Sequence, residues 1–209
     1  MATGRRAKLV LAVGVAVLVL LGANVAGMLR YPGGPLRESN ADGWFWLDTR
    51  PADQGNNREG FTAGAGIGSG EPIYLGLYPR NQWSTEALIE DVRLIGATDG
   101  LALVDARALI PGRTVEATGP ITEARAAELG VGLYTDYQPL PASLPANSSI
   151  SDGRMWVKVI ANDPGEQSFE SVAVDYRIGP FSFTIVLHQA FTGCFVPLAA
   201  GATCSIGHV

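Results

Sequence analysis

Histidine and cysteine are nearly absent from this 209-residue chain, which has two of each. All four fall in the closing stretch "FTIVLHQAFTGCFVPLAAGATCSIGHV", as His188, Cys194, Cys204 and His208. A serine or cysteine nucleophile needs a histidine base held by an acid. Only His188 is placed to serve, and no G-x-S-x-G elbow accompanies it. Basic residues are also scarce. Arg5, Arg6 and Lys8 all precede the long apolar run, so of fifteen Lys and Arg twelve remain after them against twenty Asp and Glu, a formal charge of −8. Nucleic-acid binding needs a basic footprint, and none is available. The glycine-rich "GAGIGSG" lacks the third glycine of G-x-G-x-x-G at the right place and has no Lys-Ser/Thr of a phosphate loop. Glu90-Asp91, and Asp163 with Glu166, do not repeat the alternating oxygen ligands of an EF-hand and read as solvated turns. No carboxylate pair stands out as a general acid and base, and no cofactor is implied.

What is present begins with "LVLAVGVAVLVLLGANVAGML", Leu9 to Leu29, uncharged and with Asn24 as its one strongly polar residue. As a helix it would extend about 31 Å, roughly one hydrocarbon core, so a transmembrane helix is expected over 9–29. The alternative is a cleaved secretory signal, for which Val25-x-Gly27 comes nearest to a small-x-small site. Basic residues before the span favour a cytoplasmic N-terminus at 1–8 and an extracytoplasmic body, which places the protein in the plasma membrane.

Residues 30–71 are rich in Gly, Asn, Asp and Pro without sustained periodicity and are expected to form a stalk. Within it, Trp44, Phe45 and Trp46 form either a short strand, a foot on the bilayer or a candidate contact surface. Strand patterning dominates from Pro72 to the end, 72–209. "IYLGLYP", "ALIEDVRLIG", "LALVDARALI", "VGLYTDY", "RMWVKVIA", "SVAVDYRIG" and "FSFTIVLHQAF" are separated by turn signals. One short helix is expected in "TEARAAELG", with Thr122 as N-cap and Gly130 as the stop. The fold expected is a mainly β, antiparallel immunoglobulin-like sandwich of about seven strands, preceded by the transmembrane helix.

The order of a basic start, one span, a Gly/Pro stalk, the hairpin "ALIEDVRLIGATDGLALVDARAL" and then "VAVDYRIG…TGC" resembles uncharacterised single-pass envelope proteins of high-GC Gram-positive bacteria with immunoglobulin-like ectodomains. The resemblance covers most of the chain, and its motifs are not catalytic. It implies no activity to transfer. Asp175-Tyr176 is similar to a sandwich corner tyrosine, while the Trp and cysteine pair of antibody domains are not at their usual spacing.

In an oxidising compartment Cys194 and Cys204 would most simply form a disulfide. The alternation of "FSFTIVLH" places Phe181, Phe183, Ile185 and Leu187 on one face and His188 on the other, toward solvent. The expectation is therefore a membrane-anchored, non-enzymatic binding module of the cell envelope. Its expected partners are the membrane and a further envelope or membrane protein. The first alternative is an exported metal-handling protein using His188, Cys194, Cys204 and His208. The second is a carboxylate-dependent envelope hydrolase, which would need a deep pocket with a close carboxylate pair.

Overall fold

A computed structural model describes residues 3–25, 29–38, 61–113, 121–148 and 154–197. Helix α1 spans Thr3–Val25. Fifteen strands follow among the described residues: β1 Arg30–Pro32, β2 Leu36–Glu38, β3 Phe61–Gly68, β4 Pro72–Leu77, β5 Pro79–Asn81, β6 Ala87–Ile95, β7 Leu101–Leu109, β8 Ile121–Thr122, β9 Tyr137–Pro139, β10 Ala142–Leu144, β11 Met155–Ala161, β12 Gly165–Phe169, β13 Ser171–Ile178, β14 Phe181–Leu187 and β15 Phe191–Val196. A second helix, α2, covers Glu123–Glu128.

Two five-stranded sheets make the body. The first has the order β1-β14-β13-β6-β10 and the second β8-β4-β11-β7-β9. Alternation along the strands sends one face of each sheet inward. Val172, Val174, Tyr176 and Ile178 of β13, with Ala87, Ile89 and Val92 of β6, share one buried cluster with Ile73, Leu75 and Leu77 of β4 and Met155, Val157 and Val159 of β11. A three-stranded sheet, β12-β15-β3, adds Phe169, Phe191 and Phe195 to the same core. Two bulges keep the inward faces in step. Val104 is the extra residue where β7 shifts register against β11, and it is thrown outward, 52% exposed. Glu90 has the same position in β6 against β13. A bulge reverses the side-chain parity of a strand, which lets Leu103 and Ala106 lie on one side.

The structure corrects the sequence in several places. Among the described residues no helix is long and apolar enough to cross a membrane. Of the stretch expected to span, α1 contains only Leu9 to Val25, about 25 Å at 1.5 Å per residue, and the chain is already a strand at Arg30. The transmembrane helix over 9–29 is thereby overturned. The plasma-membrane placement, the split into cytoplasmic and extracytoplasmic parts, and the membrane as integral partner fall with it.

The segment expected as a stalk, 30–71, supplies β1, β2 and β3 to the sheets. Gly64, Gly66 and Gly68 of "GAGIGSG" sit in β3, which pairs in parallel with β15, while Gly70 lies in the turn that follows. Parallel pairing also joins β1 to β14, so the sheets are not purely antiparallel. "VGLYTDY" is strand only from Tyr137. Before it, Asp136 N–H donates to Gly132 C=O at 2.9 Å and closes a turn. Gly132 permits that turn, because a Cβ there would run into Asp136 Oδ2 and Thr135 Oγ1. The expected helix is α2. Thr122 Oγ1 accepts from Arg125 N at 3.3 Å, and Gly130 leaves the helix at φ +68°. Tyr176 is no local corner, since its hydroxyl reaches back to Gly33.

Candidate functional site

The outward face of the second sheet is partly roofed by the excursion 121–137. On β4 the outward positions are Tyr74 and Gly76, followed by Tyr78. On β11 they are Trp156 and Lys158, preceded by Arg154. The ladder sets Lys158 opposite Tyr74 and Trp156 opposite Gly76. On the other flank of β11, Trp156 faces Arg107 and Lys158 faces Asp105 of β7. Gly76 makes the crowding possible, since a Cβ there would lie 2.8 Å from the Tyr78 hydroxyl.

Buried apolar residues join roof to sheet: Ala126 of α2 and Leu133 pack with Tyr74, Leu109, Tyr137 and Trp156 in a cluster separate from the main core. Trp156 Nε1 donates to Leu133 C=O at 3.0 Å. The Tyr74 and Tyr134 hydroxyls lie 2.7 Å apart, and Tyr74 also donates toward Glu123 Oε2 at 3.4 Å. Tyr74, Tyr134 and Trp156 meet edge to face, with centroids 5.0 to 6.3 Å apart. Cations frame these rings. The Arg107 guanidinium stands 4.8 Å over Tyr134 while its Nε donates to Asp105 Oδ2 at 3.0 Å. Lys158 Nζ stands 5.6 Å over Tyr74. Arg113 pairs with Asp136 at 3.7 Å. Tyr134 remains 42% exposed, so the cluster is open to contact on that side.

Behind the rings lies a small recess, part of it open to solvent, lined by Tyr74, Gly76, Tyr78, Ile121, Val131, Leu133, Tyr137, Arg154, Met155 and Trp156. Leu109 N–H fixes the backbone of Arg154 through its carbonyl at 2.8 Å. The guanidinium Nε and Nη1 of Arg154 are buried and have no hydrogen-bond partner. Burial pushes the Tyr78 phenol up from its ordinary value, with Arg154 pulling the other way. Burial likewise pushes Tyr137 up to about 12 against the same pull, with Tyr78 and Asp136 adding to the rise. Tyr74 is pushed up by burial and then by its bond to Tyr134. All three phenols keep their protons at neutral pH.

None of these residues stood out in the sequence as a site. The signal was there as spacing: Tyr74-x-Gly76-x-Tyr78 and Arg154-x-Trp156-x-Lys158 each mark one face of a strand whose other face is apolar. Trp44, Phe45 and Trp46, the expected contact surface, lie outside the described residues, as do Cys204 and His208. His188 is exposed at the end of β14, on the side the alternation assigned to it. Cys194 is buried in β15 and is not a free thiol. It is disulfide-bonded, and Cys204, the partner expected from the sequence, lies outside the described residues.

Metal handling is corrected as well, because among the described residues no group of three His, Cys, Asp or Glu is placed to hold an ion. Asp163 and Glu166 are exposed, and Glu90 pairs with Arg30 at 3.3 Å and Arg177 at 3.4 Å. The recess has no carboxylate among its lining residues, so the support a carboxylate-dependent hydrolase would need is missing there.

No family model matches the chain. No curated protein matches it either, and the resemblance to single-pass envelope proteins rests on the order of its sequence features alone. Among solved structures the chain is similar to the ASH / PapD-like domain of human CEP192 (PapD-like domain 7), at 12% identity, covering 66% of this chain and 81% of that one, with a TM-score of 0.32. A likeness at that identity and score carries no argument for fold family or function.

Proposed function

We propose that the protein is a β-sandwich binding module that works by contact, through the outward face of its second sheet. The observation that carries this reading is the cluster of Tyr74, Tyr134 and Trp156 with Arg107 and Lys158 stacked against the rings. Aromatic rings and arginine are the residues that anchor protein contacts, because they offer large rigid area together with a polar handle. The partner such a face fits is a protein segment with apolar side chains and at least one carboxylate. Lys158 has no ion pair among the described residues and is the group left to receive one.

The test is a paired variant of the full chain, Tyr134→Ser with Lys158→Glu. Tyr134→Ser gives up ring contacts with Tyr74 and Trp156, so the urea midpoint should fall modestly while the chain stays folded. Retention of the partner, recovered after crosslinking in the producing cell, should fall roughly ten-fold or more. Phe181→Ser, on the other sheet, should leave retention unchanged. Equal loss in both variants would defeat the reading.

A further inference from the structure

We infer that the chain pairs with a second copy of itself along the open edge of β6, antiparallel, with the two-fold axis at Val92.

The backbone supplies the edge. Thr184 C=O accepts from Gly33 N–H at 2.7 Å, so the polar groups of Thr184 point to β1 and away from β13. Asp175 lies opposite Thr184 across that ladder and therefore turns its own toward β6, as Ala173 does. There they meet Asp91 and Arg93. Val92 and Leu94 alternate with these two and present their N–H and C=O groups to the opposite side. Strand β10 covers that side only as far as Ile89, which Ala142 faces. Among the described residues no backbone hydrogen bond reaches Val92 or Leu94 there. At the other end β6 stops at Ile95, and Gly96 turns the chain away at φ +66°. An unpaired edge of this kind is a template for another strand.

The side chains select which strand. With Val92 on the axis, the two copies exchange both of its hydrogen bonds. Asp91 then stands opposite the partner's Arg93, and Arg93 opposite the partner's Asp91, in the closer, non-hydrogen-bonded pairs of the ladder. Asp91 is exposed and has no ion pair among the described residues. The Arg93 side chain is 53% exposed and gives Nη1 to Asp175 at 2.8 Å, which leaves the other guanidinium nitrogens for a second carboxylate. The neighbouring registers that keep the hydrogen bonds set Arg93 against the partner's Arg93, or Asp91 against the partner's Asp91. Edge charges that only repel other strands would not need opposite signs on either side of one residue. The length agrees as well. Leu94 falls opposite the partner's Glu90, and the partner's Ile95 would come next to Ile89, where Ala142 already sits. The ladder therefore runs from Glu90 to Leu94, and the contact is self-complementary, as a two-fold interface must be.

The experiment uses the full chain, sedimentation at concentrations up to about 0.5 mM, the range a small interface requires, and hydrogen exchange at the Val92 and Leu94 amides. The unaltered chain should dimerise, and exchange at those two amides should slow as concentration rises. Asp91→Arg puts like charges in both cross-strand pairs and should weaken the dimer roughly ten-fold or more. Arg93→Asp should do the same, and an equimolar mixture of the two variants should recover the dimer, because each supplies the charge the other lacks. Tyr134→Ser with Lys158→Glu alters the other sheet and should dimerise like the unaltered chain. The exchange measurement and Asp91→Arg decide the matter even if Arg93→Asp, which gives up its bond to Asp175, does not fold. A monomer at every concentration overturns the inference, and leaves the edge to a different chain or to water. Association that Asp91→Arg does not weaken, or that leaves exchange at Val92 and Leu94 unchanged, overturns it too, since the copies then meet elsewhere.

Discussion

Trp156 Nε1 donates a 3.0 Å hydrogen bond to the carbonyl of Leu133, and this bond holds the roof of the site to the sheet beneath it. Trp156 is 3% exposed and Leu133 6%, so water cannot replace either partner cheaply. The bond links a turn with little helix or strand character of its own to the centre of a five-stranded sheet. The recess exists because that turn is held at that height.

Replacing Trp156 with Phe keeps an aromatic ring and removes the donor. The expected cost is about 1 to 3 kcal/mol, since the Leu133 carbonyl is left buried without this partner. Urea unfolding of the full chain measures it. Trp156→Ala should cost about 3 to 5 kcal/mol, because three rings lose their neighbour and a cavity remains.

The strap 29–38 depends on Tyr176. Its hydroxyl donates to Gly33 C=O at 2.6 Å and accepts from Leu36 N–H at 3.2 Å, while Leu36 itself is fully buried. Tyr176→Phe should lower stability by about 1 to 2 kcal/mol and speed hydrogen exchange at the Leu36 amide. Gly34→Ala should act on the same strap more severely. It sits at φ +85°, and a Cβ there would run into the Tyr176 hydroxyl and the Phe183 ring. Unchanged exchange at Leu36 in Tyr176→Phe would show that the strap is held by other means.

Alkaline pH should loosen the roof. The Tyr137 phenol is raised to about 12 in the folded protein, against about 10 in an unfolded chain. A folded-state pKa above the unfolded one means that the contribution to stability is complete below about pH 10 and is lost as pH rises toward about 12. Tyr74 and Tyr78 shift in the same direction and add to the effect. Urea midpoints should be level from about pH 8 to pH 9 and fall beyond about pH 10, less steeply in Tyr137→Phe. A flat profile through that range would contradict the burial of these phenols.

The sheets were legible where a strand carries one clean alternation. Val157 and Val159 against Trp156 and Lys158 in β11 are of that kind, and so is α2 with its Thr122 cap and Gly130 exit. Legibility failed where partners distant in sequence decide the structure. Nothing local in "GAGIGSG" announces that β15 will pair with it in parallel, more than a hundred residues later. The bulges at Glu90 and Val104 are likewise set by the neighbouring strand's register. For the site, each strand wrote its half of the pattern into the sequence. The roof could not be read, because "VGLYTDY" has the composition of a strand and becomes a turn through Gly132 and the bond from Trp156. The apolar run after Lys8 gave a clear hydropathy signal, yet among the described residues the helix is Thr3–Val25 and Arg30 already belongs to a strand.

The central claim, that contact is made through the outward face of the second sheet, is tested most directly by photocrosslinking from two positions of the full chain. A benzophenone side chain replaces Tyr134 on that face in one protein and Val186 on the outward face of the first sheet in the other. Both positions are exposed to a similar degree, 42% and 39%, so accessibility alone does not favour either. The account predicts a discrete crosslinked species from position 134, suppressed by excess unlabelled chain and not by the chain bearing Tyr134→Ser with Lys158→Glu, and none from position 186. The same species arising from position 186 and not from 134 would contradict it.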